Sequence, residues 1–272
     1  MNRIEGVDLF RLLAITAVIA IHTEPFSVAS SVDAVVWKYL GVLINQLARF
    51  AVPFFFVISG YFWGTKVKRL GSVASVSIPM AKRIFLVFAV WSVVYAVPYS
   101  RLSAIAEQVF LGSIKVAYWD LIALVKYPIN LEDYDTVTVM MQGTRDHLWF
   151  LIALLCSIGI SSFLVWGENY KMLVAVSVAL YLIGLLAKAY ANSPFGLHAN
   201  FNTRNGPFFG TFFFVSGYFL SNLTPTPGWF QKGVALLGVG WLLHFSETYL
   251  LWSRHGTNPY LQDYVIGTYF MG

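Results

Sequence analysis

The sequence predicts an all-α, polytopic membrane helix bundle, on three observations. Of 272 residues, 58% are hydrophobic. Only 11% are charged, where an ordinary soluble domain carries about 25%. The apolar residues gather into runs close to the roughly 20 that a bilayer helix needs. A soluble globular domain and a disordered chain are both excluded, because so much apolar surface cannot stay solvated. A disulfide scaffold is excluded as well, since Cys156 is the single cysteine. The net charge of +5 does not point to nucleic acid here, because in a membrane chain the placement of the cations counts for more than their sum.

Seven spans follow in order: Val7 to Thr23, Val42 to Trp63, Ala81 to Pro98, Leu148 to Trp166, Met172 to Tyr190, Pro207 to Leu220 and Trp229 to Trp252. An eighth begins at Tyr260 and reaches Gly272 after about two-thirds of the needed length. Such an ending reads as a helix interrupted midway, and the chain is expected to be a single domain, 1–272, lacking its last helices. Arg3 and the run Leu12 to Ile21 mimic a signal peptide. Glu5, Asp8 and Arg11 interrupt the approach, however, and His22-Thr23-Glu24-Pro25 is not a cleavage site.

The loop between the second and third spans carries Lys66, Lys68, Arg69, Lys82 and Arg83 without an acid, which marks it as cytoplasmic together with the N-terminus. The segment Arg101 to His147 then lies outside, with six acids against four bases. Within it, Leu102 to Val116 and Leu121 to Lys126 read as amphipathic helices on the outer surface, and Asn130 to Asp135 as a loop.

Polar residues inside these spans are the candidates for function. The ten residues Leu12 to Ile21 favour insertion by roughly 3 to 5 kcal/mol, and one Asp or Arg at the membrane centre costs about 2.5 to 3.5 kcal/mol. Asp8, Arg11 and His22 therefore need partners. Asp8 and Arg11 are three apart and can pair. Arg11 and His22 are eleven apart, nearly in line on one face and about 16 Å apart along the axis. Imidazole exchanges protons near neutrality, so a bundle-facing His22 is a candidate general base, while a plain interhelical hydrogen bond is the rival reading.

Glu24, Arg49, His147, Arg204, His244 and Glu247 collect toward the same outer half. His244 and Glu247 are three apart, so the carboxylate can orient the imidazole or serve only a structural bond. His198 and His255 fall in outer loops. No spacing makes a metal site, a phosphate loop or a nucleophile elbow. The run Phe54 to Phe62 recurs as Phe212 to Phe219, each after an arginine and a proline. Shared Phe-rich composition accounts for this match, and Ser59-Gly60 and Ser216-Gly217 are read as sites of close helix approach.

Five stretches in order resemble the acyltransferase-3 family of integral membrane acyltransferases, in particular its surface-polysaccharide O-acyltransferase branch. They are Gly6-Val7-Asp8-Leu9-Phe10-Arg11 leading to His22, Val52 to Tyr61, Lys82-Arg83-Ile84, His147 to Leu151, and Thr203-Arg204-Asn205-Gly206. The resemblance implies a bundle of about ten helices that moves an acyl group, usually acetyl, from cytoplasmic acetyl-coenzyme A to a hydroxyl of an extracytoplasmic polysaccharide or lipid-linked sugar. It implies Arg11 and His22 as the signature pair, with His22 catalytic, and Lys82 and Arg83 at the acyl donor. Pro79 stands where the fuller Arg-x-x-Arg form of that patch has its first arginine. The family's late Gly-Ile-Tyr-x-x-His stretch has no counterpart after Gly272.

On that reading Arg49, His147 and Arg204 are candidate acceptor or oxyanion contacts. No cofactor or metal is bound, acetyl-coenzyme A is a substrate, and an acyl-histidine intermediate is a variant of the mechanism. The partners are acyl-coenzyme A, the glycan and the bilayer, with no nucleic acid and with room for a homo-oligomer. The expected location is the plasma (inner) membrane of a bacterium. A proton-coupled transporter or flippase for a small or glycan substrate is the rival, and an inactive truncated remnant is a third reading.

Overall fold

The computed structural model describes residues 5–23, 34–96, 99–126, 136–224, 226–257 and 262–272. Among them are helices α1 (Glu5–Thr23), α2 (Ala34–Leu47), α3 (Ala51–Leu70), α4 (Val73–Ala96), α5 (Tyr99–Phe110), α6 (Ile114–Lys126), α7 (Thr136–Gln142), α8 (Trp149–Trp166), α9 (Tyr170–Leu186), α10 (Phe208–Leu220) and α11 (Trp229–His255). No strand occurs among the described residues, and the chain is a polytopic helical bundle. Among the described residues, four stretches are long and apolar enough to cross a bilayer: Tyr39–Leu70, Val73–Tyr95, Asp146–Trp166 and Trp229–His255. Tyr170–Leu186 and Phe208–Leu220 are shorter apolar helices.

The second expected span is longer than its apolar run. α2 passes through a 3-10 turn at Ala48–Phe50 into α3 without leaving helical dihedrals, so Arg49 sits on a continuous, locally tightened helix. The loop expected between the second and third spans is in fact two residues long. Gly71, at φ 64°, closes α3 with its N–H on Val67 O at 2.9 Å, and α4 starts at Val73. Left-handed backbone at a helix end is the role in which glycine meets no steric penalty. Pro79 lies within α4 instead of marking a loop, and Lys82 and Arg83 are therefore helical and exposed.

The expected outer helix Leu102 to Val116 is divided, because Gly112 at φ 78° breaks the chain between α5 and α6. These two pack on each other and expose Phe110, Leu111, Ile114 and Trp119. Asn130 to Asp135, Pro98 and Glu24 lie outside the described residues. The described part of the expected eighth span is not α-helical. Residues 262–265 carry no regular secondary structure, and Ile266–Met271 make a 3-10 turn that folds back along α11.

α10 is the centre of the bundle and packs against α3, α8 and α9. Its buried face, Phe209, Phe213, Phe214 and Tyr218, meets Phe56, Trp63, Trp149, Tyr181 and Tyr264 in one core cluster. Trp63 lies 5.5 Å from Phe214 and 5.4 Å from Tyr218 by ring centroid, and Tyr264 stacks on Phe209 at 4.2 Å. The buried indole of Trp63 donates to Ser77 Oγ at 2.9 Å, and Ser162 hydroxyl reaches the same oxygen at 2.7 Å, tying α3, α4 and α8 together. On the far side of α4, Phe85, Leu86, Val90, Val93 and Val94 are exposed, as expected of a surface that faces lipid.

The two Phe-rich repeats pack against each other. A Cβ on Gly60 would overlap the carbonyl of Phe214, and a Cβ on Gly217 would overlap the carbonyl of Val57. Val57 and Phe214 each stand three residues before their own glycine, so the contact is reciprocal, as across a local two-fold axis. The neighbours agree with a parallel pair: Gly210 lies on Phe56, and Gly64 on Tyr218 and Ser221. The close approach expected of these glycines is present, and the partner of each repeat is the other repeat.

Gly60→Ala and Gly217→Ala are each expected to destabilise the bundle by about 1 to 3 kcal/mol or more, the usual range for overpacking. Gly159, with nothing within 4 Å of a built Cβ, serves as control. Its change to alanine should leave stability within about 0.5 kcal/mol. Thermal unfolding of the detergent-solubilised protein, followed by size-exclusion chromatography, measures all three.

Candidate functional site

A small pocket, with a cavity volume of about 50 Å³, is lined by Val18, Ile21, His22, Arg49, Val52, Trp149, Arg204, Asp263 and Tyr264, well below the roughly 300 Å³ at which ordinary ligand sites begin. Four separate parts of the fold supply its polar groups. α1 delivers His22 at its last turn, and the 3-10 turn before α3 delivers Arg49. The loop before α10 delivers Arg204, and the irregular segment 262–265 delivers Asp263 and Tyr264. Of the residues singled out from the sequence, His22, Arg49 and Arg204 meet in this pocket. His147 stands beside it, with its ring 6.1 Å from that of His22 and nearly perpendicular, and 4.9 Å from Tyr95.

Asp263 is the residue that sequence reasoning missed. Its carboxylate takes Arg49 Nη1 on Oδ1, and Lys188 at 3.0 Å and Arg204 at 3.5 Å on Oδ2. Burial opposes the charged form, but Arg49, Lys188 and Arg204 together outweigh it and hold the carboxyl below its ordinary value, at about 2. A group held down in this way adds stability above its unfolded pKa, and that stability is lost only as the pH falls toward the folded value. The ion cluster is thus intact at neutral pH.

The two arginines are held differently. Arg49 gives Nε and Nη2 to Asn45 Oδ1 at 3.1 and 2.7 Å, one turn earlier on the helix. Arg204 gives Nη2 to Asp146 at 2.5 Å and lies over the Trp149 ring at 5.0 Å, a cation–π distance. Its Nε is buried with no hydrogen-bond partner among the described residues.

The segment bearing Asp263 is fastened along its main chain. Val265 N–H donates to Thr268 Oγ1 at 2.9 Å, and Tyr181 hydroxyl donates to Val265 O at 3.0 Å. Ile266 and Gly267 N–H donate to the Glu247 carboxylate at 3.0 and 2.9 Å. His244, fully buried, stands 3.0 Å from Thr268 Oγ1 through Nδ1 and 2.6 Å from Gln46 Oε1 through Nε2. The carbonyl of Gln46 can only accept, so Nε2 carries the hydrogen and Nδ1 accepts from Thr268. This corrects the expected pairing of His244 with Glu247. Although they are close enough on α11 to touch, each is engaged by the folded-back segment, whose backbone groups would otherwise be buried without partners.

Arg11 is not part of this pocket. It pairs with Asp8 at 3.3 Å, as the spacing predicts, and lies over Phe62 at 5.2 Å. Lys82 and Arg83 stand on α4 twelve or more residues before Tyr95, the residue whose ring meets His147, which places them about 18 Å or more from Tyr95 along the helix axis. His198 is exposed, and His255 is the last residue of α11 and half-buried, not a loop residue. No group of three or more metal-ligating side chains occurs among the described residues.

No solved structure matches the chain. Three curated relatives are similar to it. One amino-acid racemase of Enterococcus faecalis is 28% identical over 80% of this chain and 28% of its own length, and another from the same organism is 31% identical over 68% and 23%. A serine/alanine racemase of Enterococcus gallinarum is 29% identical over 78% and 28%. The chain thus matches about a quarter of the length of these relatives. The model of the acyltransferase domain family matches residues 4–272, almost every residue present, and the chain belongs to the acyltransferase-3 family.

Proposed function

We propose that the protein is a membrane O-acyltransferase that moves an acetyl group from cytoplasmic acetyl-coenzyme A to a hydroxyl of an extracytoplasmic polysaccharide or lipid-linked sugar. The observation that carries this reading is the meeting of His22 with Arg49 and Arg204 around one pocket: a base and two cations are what acyl transfer to an alcohol requires. His22 takes the proton of the acceptor hydroxyl as the oxygen attacks the thioester carbonyl. Negative charge then develops on the former carbonyl oxygen, where the guanidiniums oppose it. The intermediate collapses by breaking the carbon–sulfur bond, and the imidazolium returns its proton to the departing thiolate.

In the proposed topology the N-terminus is cytoplasmic and this pocket opens on the outer side of a bacterial plasma membrane. The exposed Lys66, Lys68, Arg69, Lys82 and Arg83 face the cytoplasm, where Lys82 and Arg83 hold the donor's phosphates as cationic side chains do. The separation of about 18 Å or more between that patch and Tyr95 beside His147 leaves an extended pantetheine arm to carry the thioester inward. Racemisation stays with the relatives that bear the name, because the match spans 28% or less of each and falls on the same residues as the acyltransferase family model.

Deleting the gene in its own host should remove acetyl-mass additions from the surface glycans seen by mass spectrometry, and complementation with His22→Ala should not restore them. Glycans acetylated normally by His22→Ala would end the catalytic role of that residue. Movement of a labelled sugar across vesicles without acyl-coenzyme A would favour a transporter instead. Lys82→Ala combined with Arg83→Ala should raise the KM for acetyl-coenzyme A about a hundredfold with a smaller change in kcat, because each of the two lost charge-assisted contacts weakens the donor by about 1.5 kcal/mol or more. Steady-state thiol release in purified membranes reads this split.

A further inference from the structure

We propose that Asp263 is the positioning residue of this site. By giving one carboxylate oxygen to Arg49 and the other to Arg204 and Lys188, it fixes the spacing of two guanidiniums that approach from the 3-10 turn before α3 and the loop before α10, and so sets the cationic wall facing His22. The inference rests on the acyl-transfer reading above and assigns a role to a residue outside the stretches that carry the family resemblance.

Three observations support it. First, the segment 262–271 does not need Asp263 to stay in place. Val265, Ile266 and Gly267 are fastened through their main chain by Thr268, Tyr181 and Glu247, and Gly267 lies directly against the backbone of Leu243 and His244. A buried ion cluster is nevertheless weak evidence for a purely stabilising role, because apolar residues of similar volume replacing the whole cluster are often as stable. Second, Asp263 bonds both arginines, one on each carboxylate oxygen. Asn45 also bonds Arg49, and Asp146, from a side chain 58% exposed, also bonds Arg204. Third, the arginines come from equivalent places. Arg49 stands eleven residues before Gly60, and Arg204 thirteen before Gly217, at the same end of the parallel α3–α10 pair. The reciprocal glycine contact fixes the two helices, while side chains as long as arginine still require an acceptor between them to be fixed relative to each other.

The test uses the full chain in membranes with [1-14C]acetyl-coenzyme A as probe and the host's total envelope fraction as acceptor. Asp263→Asn keeps the shape and removes the charge. Its kcat should fall about a hundredfold, the loss expected when catalytic groups are misplaced by about 1 Å, while the KM for acetyl-coenzyme A stays within about twofold because the donor patch lies elsewhere. In parallel, phenylglyoxal labelling read by mass spectrometry should rise at both Arg49 and Arg204 in Asp263→Asn, a readout that needs no turnover. Unchanged labelling at both arginines overturns the proposal, as does a wild-type kcat in Asp263→Asn when His22→Ala is inactive. No transfer by the wild-type protein, with labelling still raised, removes the acyl-transfer reading and leaves Asp263 as the clamp of the two arginines. Where Asp263→Asn fails to fold, Arg49→Lys and Arg204→Lys take its place. Each retains the charge and loses the forked geometry, and a wild-type kcat in both overturns the proposal.

Discussion

The structure depends on the backbone-to-backbone approach of α3 and α10 at Gly60 and Gly217. Within a bilayer apolar side chains gain nothing by leaving lipid for protein, so helix pairs are held by close packing and by the contacts that closeness permits. Removing one Cβ from each helix lets the main chains touch, and the aromatic residues on either side of the seam interleave. Trp63 then rests on Phe214 and Tyr218, and Phe56 on Gly210. Because the same short sequence occupies both helices in parallel, whatever precedes each repeat is delivered to the same end of the bundle. Arg49 and Arg204 are what precede them.

The pocket end is then closed by a segment that makes almost no regular structure of its own. Residues 262–271 satisfy their buried backbone groups with side chains of α9 and α11, and through His244 they are linked to Gln46 of α2. Each of these polar groups would be costly in an apolar surrounding without its partner. Together they form a network in which Val265 N–H donates to Thr268, Thr268 to His244 and His244 to the carbonyl of Gln46, so one tautomer of His244 satisfies all of them.

The spans were legible because a bilayer helix imposes length and hydropathy on its residues whatever they pack against. Leu148 to Trp166 and Pro207 to Leu220 were placed within one residue of their observed bounds. The paired geometry of Asp8 and Arg11 was equally legible, since spacing on one helix decides it. The sequence misled where tertiary partners decide. Pro79 and the basic residues around it suggested a loop, yet the bundle accommodates a proline inside α4. His244 and Glu247 have the spacing of a pair, yet the fold-back segment competes for both. Thr268 to Gly272 has the composition of a span, and nothing in its apolar pattern reveals that Glu247 and Tyr181 wait to bond its backbone. The one available signal for Asp263 was an acid set against Tyr264 and Val265 at the start of an apolar run, the kind of placement that membranes tolerate only with partners.

The charges that remain inside the bundle follow a single economy of placement. Arg49, Lys188, Arg204 and Asp263 have side chains no more than 18% exposed, and such groups are tolerated only when they neutralise one another. A site built for charge that appears during a reaction has to keep cations desolvated without letting them collapse onto a carboxylate that fully consumes them. Three cations around one buried acid, with Asp146 reaching in from the exposed rim, answer that requirement. Asp263 keeps the cations ordered and gathered beside His22. A neutral residue at position 263 would leave like charges within a few ångströms of each other in a medium of low dielectric, where their repulsion would drive the guanidiniums apart.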